Sequence, residues 1–248
     1  MEYIIGIDEV GRGPIAGPVA VCAFLSARSD LVEILSGIDL PMRDSKKLTK
    51  IQREKWFEYL KDQKAKGNCD FAVSYVSAEM IDKFGIVKAI QKSLDSSLEK
   101  VAGQIIQNPS ALPSGRGMKN ELLHASSGSQ SEIADVSLRT GDKVRRENFQ
   151  NPISPEEVSV FLDGGLKAPV EYINQETIIK GDELHPVISC ASIIAKVSRD
   201  KIMANHAKEY PEYGFEKHSG YGTKAHYDAI KKHGVTPLHR KTFMKNII

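Results

Sequence analysis

The pattern of hydrophobic positions near the start of the chain predicts a pair of strands. Residues 3–7 are almost wholly apolar, which is typical of a strand buried on both faces. Residues 19–25 form a second apolar and partly β-branched run, and a loop rich in glycine joins the two runs. The pattern predicts an antiparallel pair, and a third strand is expected over residues 71–76.

Helical periodicity marks four further segments. Thr49 and Gln52 have the spacing of a capping box, so a helix is expected to begin there. Apolar residues recur every three or four positions over residues 87–105. A long helix is expected from residue 187 to about residue 210, and a shorter one over residues 225–233, where a glycine follows.

Two short apolar segments in the second half of the chain each lead to an acid. Residues 158–163 end in Asp163 just before two glycines, and residues 177–182 run from an apolar strand through a glycine to Asp182. Strands that alternate with helices in this order predict an α/β fold around one mixed sheet.

The stretch from residue 107 to residue 157 breaks the periodic pattern. It contains eight Ser, four Gly and four Pro. This composition is typical of a long loop or a partly disordered insertion.

Net charge is only +2, so any surface for an acidic partner has to be local. Residues 201–248 carry nine Lys or Arg against four acids, together with five of the seven histidines. Such a segment is either a solvated basic face or a phosphate-binding surface, and charge alone leaves both open.

Cysteine usage and hydropathy bear on the compartment. The three cysteines form no CxxC pair and lie in apolar runs, so we expect buried thiols in a reducing compartment. No apolar run approaches 18 residues, and no basic segment followed by an apolar stretch opens the sequence. We therefore expect a cytoplasmic protein with no membrane contact.

Acids that follow strands are the first candidates for chemistry. Asp8, Glu9, Asp163 and Asp182 occupy such positions, and groups at neighbouring strand ends converge on one site. Converging carboxylates need a compensating cation, and oxygen ligands without Cys favour Mg²⁺ or Mn²⁺. Two such ions would suit phosphodiester hydrolysis, although each acid taken singly also fits an ordinary turn.

The loop after Glu9 adds a candidate anion site. Gly11 and Gly13 would let backbone amides approach an anion closely, and Arg12 would add a guanidinium. A single G-x-G is also common in simple tight turns, so both interpretations stand.

Five ordered motifs then carry a resemblance to a known family. They read GIDEVGRGPIAGP at residues 6–18, DSKKL at 44–48, KGD at 180–182, SCASIIAKVSRD at 189–200 and GYGT at 220–223. Together they resemble the type 2 ribonuclease H family, most closely its bacterial ribonuclease HII branch. The resemblance covers residues 1–106 and 158–248, and residues 107–157 stand out as an insertion.

The resemblance implies a fold and its division. We expect a ribonuclease H-like fold with a central mixed sheet flanked by helices, followed by a C-terminal helical extension. Residues 1–209 would form the catalytic domain, with the insertion at 107–157, and residues 210–248 would form a substrate-binding extension.

The resemblance also implies an activity. Members cut the RNA strand of RNA/DNA hybrids and nick on the 5′ side of ribonucleotides embedded in duplex DNA, leaving 3′-hydroxyl and 5′-phosphate ends. The family's four catalytic and metal-binding acids map onto Asp8, Glu9, Asp163 and Asp182. Two Mn²⁺ or Mg²⁺ ions are the expected cofactors, and the expected role is removal of misincorporated ribonucleotides and RNA primers.

Substrate contacts are carried over in the same way. The loop of Gly11, Arg12 and Gly13 resembles the segment that grips the backbone beside the scissile ribonucleotide. Tyr221 resembles the tyrosine that packs on the sugar at the RNA-to-DNA junction, although by pattern alone it also fits a core aromatic. The candidate phosphate contacts are Lys46, Lys47, Lys196 and Arg199.

Other residues and partners are assigned less directly. Asp200 competes with Asp182 for the fourth acid, but we expect it, like His218, His226, His233 and His239, to be a surface or network residue. The expected partners are RNA/DNA hybrids and ribonucleotide-containing duplex DNA, and the chain is expected to be a monomer. A replication clamp as a partner stays open, as do a DNA-only nuclease and a duplex-binding protein without catalysis.

Overall fold

The protein is described here from a computed structural model, which describes residues 3–40, 42, 45–102 and 153–244. Within these residues the strands are β1 (Tyr3–Val10), β2 (Val19–Ala27), β3 (Cys69–Val76), β4 (Val158–Asp163) and β5 (Gln175–Ile178). The helices are α1 (Arg28–Ser36), α2 (Lys50–Lys66), α3 (Ala78–Phe84), α4 (Ile86–Ala102), α5 (Gly181–Leu184), α6 (Pro186–Glu209), α7 (Phe215–His218) and α8 (Lys224–His233).

One mixed sheet organises the described residues, with strand order β3-β2-β1-β4-β5. β1 pairs antiparallel with β2, and β2 pairs antiparallel with β3. β1 pairs parallel with β4, and β4 pairs parallel with β5. The carboxyl ends of β1, β4 and β5 therefore lie at the same edge of the sheet, which confirms the expected α/β class.

Helices cover both faces of this sheet and bury its apolar side chains. On one face, α1, α2 and α6 pack against residues such as Ile4, Cys22 and Phe24. On the other face, α3 and α4 pack against residues such as Ile5 and Leu25. Because β2 is buried at every position, its residues are apolar except for Ser26, and they do not alternate with polar ones.

α6 crosses β1 so closely that only a glycine fits at the contact. A Cβ atom on Gly6 would overlap the carbonyl oxygen of Val187 and lie 2.7 Å from the backbone nitrogen of Ile188. Backbone cannot move aside as the end of a flexible side chain can. Gly6 thus sets the distance between α6 and the strand that carries Asp8 and Glu9.

The C-terminal elements pack against the loop between β1 and β2. Ile15 and Ala16 share an apolar cluster with residues that follow the middle of α6, namely Met203, Tyr213, Phe215, Ile230 and Met244. Ala16 and His239 form an isolated antiparallel bridge, in which the amide of Gly17 donates to the Leu238 carbonyl at 2.8 Å. The loop therefore rests on the C-terminal segment, although the division at residue 209 stays a prediction.

Most local predictions agree with this structure. The capping box at Thr49 is present, with both reciprocal hydrogen bonds, and the antiparallel pairing of β1 with β2 is confirmed. The expected helices correspond to α2, α4, α6 and α8. The three cysteines are free and buried, and no helix in the described ranges could cross a bilayer.

The segment before Asp182 differs from its prediction. β5 begins at Gln175, earlier than the expected Thr177, and its residues are half-buried or exposed. Lys180 then adopts a left-handed conformation with φ of 57°, so the chain reverses and Asp182 lies in the first turn of α5. Asp44 and nearly all of the expected 107–157 insertion lie outside the described residues.

The Gly6 contact gives a first prediction. Gly6→Ala should lower the free energy of unfolding by about 1–3 kcal/mol, because the added methyl group meets backbone atoms of α6 that cannot give way. Denaturant unfolding measures the change. Gly165→Ala is the control, since a Cβ there meets nothing within 4 Å, and equal stability loss in both variants would contradict the prediction.

Candidate active site

Strand register brings two of the predicted acids side by side. The last parallel pair between β1 and β4 joins Ile7 to Leu162, so Asp8 and Asp163 are the next residues at the same edge. One carboxylate oxygen each of Asp8, Glu9 and Asp163 lies within 4.8 Å of the others. The structure therefore brings together three of the four predicted acids within the spacing of a shared metal ion.

Asp182 reaches the same edge from α5 rather than from a strand end. The amide of Gly181 donates to Oδ1 of Asp163 at 2.6 Å, which ties the start of α5 to the end of β4. Asp182 is buried, and its negative charge raises the pKa of Asp8. It lies beside the group of three, outside the 4.8 Å spacing that Asp8, Glu9 and Asp163 share.

Burial and repulsion shift the protonation of this cluster. Burial is the main cause that raises the pKa of Asp8 well above its usual value, and the charges of Glu9, Asp163 and Asp182 raise it further. Burial likewise raises the pKa of Glu9, against the opposing effect of Arg12. Ionised carboxylates this close together need a positive charge between them, and an all-oxygen donor set fits a hard divalent cation.

Serines of α6 hold the acid-bearing segments in place. The hydroxyl of Ser192 lies beside Asp8 and lowers the pKa of that carboxyl against the effect of burial, and its oxygen lies 2.8 Å from the hydroxyl oxygen of Ser45. Ser189 donates to the backbone carbonyl of Asp182 at 2.7 Å. Both α6 serines stand in the SCAS motif, but the pattern alone gave no sign that they face the acids.

The loop after Glu9 lies next to these acids and to Tyr221. Nη1 of Arg12 lies 3.5 Å from Oε1 of Glu9, and the Arg12 side chain is mostly exposed. A Cβ atom on Gly13 would lie 3.6 Å from Cε1 of Tyr221, whose ring is about half exposed. The predicted backbone-binding loop and the predicted sugar-binding tyrosine thus form one continuous surface beside the acids.

Comparison with known proteins decides the family. A family model described as Ribonuclease HII matches residues 5–113 and 117–246. A ribonuclease HII from Clostridioides difficile is 33% identical over 249 residues, which covers 99% of this chain and 71% of that protein. One from Endomicrobium trichonymphae is 34% identical, covering 97% of this chain and 84% of that protein.

The chain belongs to the ribonuclease HII family. It is therefore an enzyme of the ribonuclease H class, an endonuclease that acts on RNA paired with DNA. Ribonuclease HII enzymes use divalent metal ions, and the cluster of Asp8, Glu9 and Asp163 offers such an ion oxygen ligands. The matched ranges include most of residues 107–157, so the comparison does not set this stretch apart from the family.

Solved structures agree on the ribonuclease H-like fold. A PCNA:RNase HII complex from Archaeoglobus fulgidus has a TM-score of 0.57 at 19% identity, over 96% of this chain and 93% of that one. Bst-RNase HIII in complex with Mn²⁺ has a TM-score of 0.59 at 15% identity, over 99% of this chain and 69% of that one.

Two of the lysines predicted to contact phosphate, Lys46 and Lys47, form ion pairs near the acid cluster. Nζ of Lys46 lies 3.0 Å from Oδ2 of Asp182, and Nζ of Lys47 lies 2.6 Å from Oε2 of Glu183. Both lysine side chains are more than half exposed, so they lie at the rim of the acid cluster. From this position each lysine could leave its carboxylate partner and bind a phosphate of the substrate. That phosphate contact stays a prediction.

Lys196 and Asp200 belong to a separate network on α6. They form an ion pair of 2.7 Å, and Oδ1 of Asp200 also accepts a hydrogen bond from the Ser219 hydroxyl at 3.1 Å. Asp200 thus takes the network position expected of it. Through Ser219, this pair connects to the segment that carries Tyr221.

Arg199 differs from its predicted place on the substrate surface. Its side chain is fully buried, and its guanidinium donates to the carbonyl oxygens of Pro18, Ala16 and Ser219 at 2.8–3.3 Å. Because these donors bind carbonyl oxygens on the buried side of the loop, Arg199 stabilises the loop from that side. Sequence reasoning placed it at the surface because the type of residue, and not its depth, is visible in the motif.

The histidines near the C-terminus form the expected network. Nε2 of His226 lies 3.1 Å from Nε2 of His239, and Nδ1 of His226 lies 2.9 Å from the carbonyl oxygen of Tyr221. His218 stacks on His226 with ring centroids 4.5 Å apart. Burial is the first cause that lowers the pKa of His239 to about 4, so His239 itself is neutral at physiological pH.

The raised pKa of Asp8 predicts a gain in stability when its charge is removed. Because the folded-state pKa lies above the unfolded value of about 3.9, ionising Asp8 costs stability as pH rises above that value. Asp8→Asn should therefore raise the free energy of unfolding of the metal-free protein at pH 7 by about 1.4 kcal/mol for each unit of pKa difference removed, and the melting temperature should rise with it. The gain should vanish near pH 4.

Thermal unfolding across pH, with and without Mn²⁺, measures this effect. Mn²⁺ should raise the melting temperature of the unaltered protein more than that of Asp8→Asn. Asp62→Asn, half-exposed on α2, is the control and should change stability by less than about 0.5 kcal/mol. Loss of stability in metal-free Asp8→Asn at pH 7 would contradict the assigned direction.

Proposed function

We propose that this enzyme hydrolyses the RNA strand of RNA/DNA hybrids and nicks duplex DNA on the 5′ side of single embedded ribonucleotides. The products would carry 3′-hydroxyl and 5′-phosphate ends. The proposal rests on one observation. Three carboxylates lie together at the edge of the sheet where β1 and β4 end, and the Gly11–Gly13 loop and Tyr221 lie directly beside them. Such a nuclease would remove misincorporated ribonucleotides and RNA primers.

Asp8, Glu9, Asp163 and Asp182 would hold two divalent ions, Mn²⁺ or Mg²⁺. When bound, the ions supply a Lewis acid that activates water and stabilises charge on the leaving oxygen. The Mn²⁺ in the related Bst-RNase HIII structure supports this choice of metal. The all-oxygen donor set of this chain supports it independently.

The chain itself would position the reacting groups. The Gly181 amide donates to the carboxylate of Asp163 and would hold it in place, and the Ser192 hydroxyl beside Asp8 would favour the ionised form of that carboxyl, so both acids would be prepared for metal before substrate arrives. The loop amides would hold the backbone beside the ribose, and Tyr221 would pack against the sugar. Lys46 and Lys47 would contact phosphates, which position a duplex without reading its bases.

A ribonucleotide is distinguished from a deoxyribonucleotide by its 2′-hydroxyl. Backbone amides are suited to reading this group, because they donate hydrogen bonds from fixed positions and do not depend on the base. The proposed substrate class therefore follows from the loop, while the reaction follows from the acids.

The comparisons support one protein partner, and location and oligomeric state are part of the proposal. The archaeal relative was solved in complex with PCNA, which supports a replication clamp as the first protein partner to test. We propose that the chain acts as a cytoplasmic monomer. The extension of residues 210–248, which makes up most of the basic segment, would then contact duplex phosphates.

Cleavage of defined duplexes tests the proposal. With Mn²⁺ or Mg²⁺, a duplex with one ribonucleotide should be cut on the 5′ side of that residue, and an all-DNA duplex should stay intact. Asp163→Asn and Asp182→Asn should lower kcat on the order of a thousandfold, the equivalent of about 4 kcal/mol. Equal cutting of both duplexes would instead support a DNA-only nuclease.

Glu183→Gln is the matched control for these variants. Glu183 is the neighbour of Asp182, but it pairs with Lys47 rather than joining the acid cluster. Its activity should remain within about threefold of the unaltered enzyme, an effect typical of a surface ion pair. Unchanged turnover in Asp163→Asn would remove that residue from the proposed site.

A further inference from the structure

Arg240 is a fully buried cation, and within the described residues every hydrogen bond of its side chain goes to a backbone carbonyl of the loop after β1. Its Nη2 donates to the carbonyl oxygen of Gly11 at 2.7 Å, its Nη1 to that of Arg12 at 3.1 Å, and its Nε to that of Gly17 at 2.9 Å. A buried charge is costly unless it is fully hydrogen-bonded. An apolar side chain in place of Arg240 would avoid this cost. We therefore look for the role of the guanidinium in the hydrogen bonds that it makes.

The geometry of the peptide bond turns these contacts into an orientation of the loop. In a trans peptide the C=O and the following N–H point in opposite directions. Because Arg240 draws the carbonyls of Gly11 and Arg12 inward, the amides of Arg12 and Gly13 point outward. Arg12 and Gly13 are exposed, whereas Gly11 is buried.

The outward amides have no acceptor among the described residues. They lie between two features of the proposed site. Arg12 contacts Glu9 of the acid cluster at 3.5 Å, and Gly13 lies beside the Tyr221 ring. Two free donors in this position face the place where a ribose and its phosphate would lie against the acids.

Charge on the inner side strengthens these donors. Burial is the first cause that lowers the pKa of Arg240, to about 9, so the guanidinium remains protonated at neutral pH. A cation hydrogen-bonded to a carbonyl polarises the whole peptide unit, and hydrogen bonds in such chains reinforce one another. The N–H groups of Arg12 and Gly13 thus become better donors to an oxygen on the outer side.

We propose that Arg240 is a positioning residue for ribonucleotide recognition, which orients the amides of Arg12 and Gly13 toward the 2′-hydroxyl of the substrate. This inference rests on the function proposed above. It assigns ribose discrimination in part to a side chain that never touches the substrate. Arg240 is 229 positions from Gly11 in sequence, so only the fold connects them.

Arg199 provides an internal comparison. It is equally buried and also donates to three carbonyls, but these belong to Ala16, Pro18 and Ser219. Arg199 packs against the Cα side of Gly11 without bonding to the carbonyls of Gly11 or Arg12. The two arginines therefore bind different parts of the loop, and Arg240 is the one that binds the peptide groups next to the acids.

Arg240→Lys tests this role because it keeps the charge but cannot reach all three carbonyls with one ammonium group. Binding is measured in an Asp163→Asn background, so that cleavage does not interfere. The probes are a 12-base-pair DNA duplex with one central ribonucleotide and the matching all-DNA duplex. The variant should weaken binding of the ribonucleotide duplex by about tenfold, the worth of one or two hydrogen bonds, and that of all-DNA by less than about twofold.

Tyr213→Phe is the control for a purely structural effect. Tyr213 is buried in the same C-terminal cluster, and its hydroxyl donates to the Gly234 carbonyl at 2.8 Å, away from the loop amides. This variant should lower the melting temperature yet leave the ratio of the two affinities unchanged. An equal change of that ratio in both variants would overturn the inference.

Amide resonances give a readout that does not depend on an Arg240 variant folding. In the Asp163→Asn chain, the ¹H–¹⁵N signals of Arg12 and Gly13 should shift more with the ribonucleotide duplex than with all-DNA. Signals that respond equally to both duplexes would overturn the inference. In Arg240→Lys the difference between the duplexes should shrink.

The inference and the proposed function fail in distinguishable ways. If the unaltered enzyme cuts the ribonucleotide duplex while Arg240→Lys keeps the full affinity ratio, only the role of Arg240 is wrong. If the unaltered enzyme does not prefer the ribonucleotide duplex at all, the proposed function is wrong and the role of Arg240 falls with it.

Discussion

Repulsion between closely spaced, partly buried carboxylates is the constraint on which the rest of this structure depends. Asp8, Glu9 and Asp163 lie close enough to share an ion, and burial raises the pKa of both Asp8 and Glu9. Such a cluster would relax apart if its residues stood on flexible loops. The sheet prevents this, because parallel pairing of β1 with β4 fixes Asp8 and Asp163 side by side. A divalent cation bound between the acids would relieve their repulsion. The energetic cost of holding the acids together therefore adds to the free energy with which such a cation binds.

The same constraint explains the rigidity around the acids. Gly6 lets α6 approach β1 closely, and that approach brings Ser192 to the carboxylate of Asp8. The Gly181 amide holds Asp163 from the other side. Ser192, beside Asp8, and Ser189, which donates to the Asp182 carbonyl, both belong to α6, so a small shift of α6 would disturb both acids together. The packing of the core and the chemistry of this ribonuclease HII are therefore linked through one helix.

A second pattern concerns the loop after β1, which is supported from behind by positive charge rather than by apolar packing alone. Arg199 and Arg240 are fully buried and bond to loop carbonyls. Carbonyls held inward leave amides facing outward, toward the place where a nucleic acid backbone would lie. The acids and the loop thus suit ligands of opposite charge. The carboxylates would bind cations, and the backbone amides would donate to anionic or hydroxyl oxygens. This division suits a substrate that brings phosphates to a metal site.

What the sequence by itself determined is local. Apolar runs located β1, β2 and β4, the capping box located the start of α2, and an acid after a strand marked Asp8 and Asp163 as candidates. These features depend on neighbouring residues, whose spacing is visible in the chain. The ribonuclease H motifs were recognisable for the same reason.

Only the tertiary structure decided which of these groups meet and which are buried. Asp182 lies in a helical turn because Lys180 reverses the chain, and Arg199 lies behind the loop rather than on its surface. Arg240 carried no sign of its role, since its partners Gly11 and Arg12 are more than 200 positions away. Depth and long-range hydrogen bonding follow from how whole elements pack, and no local pattern records that packing.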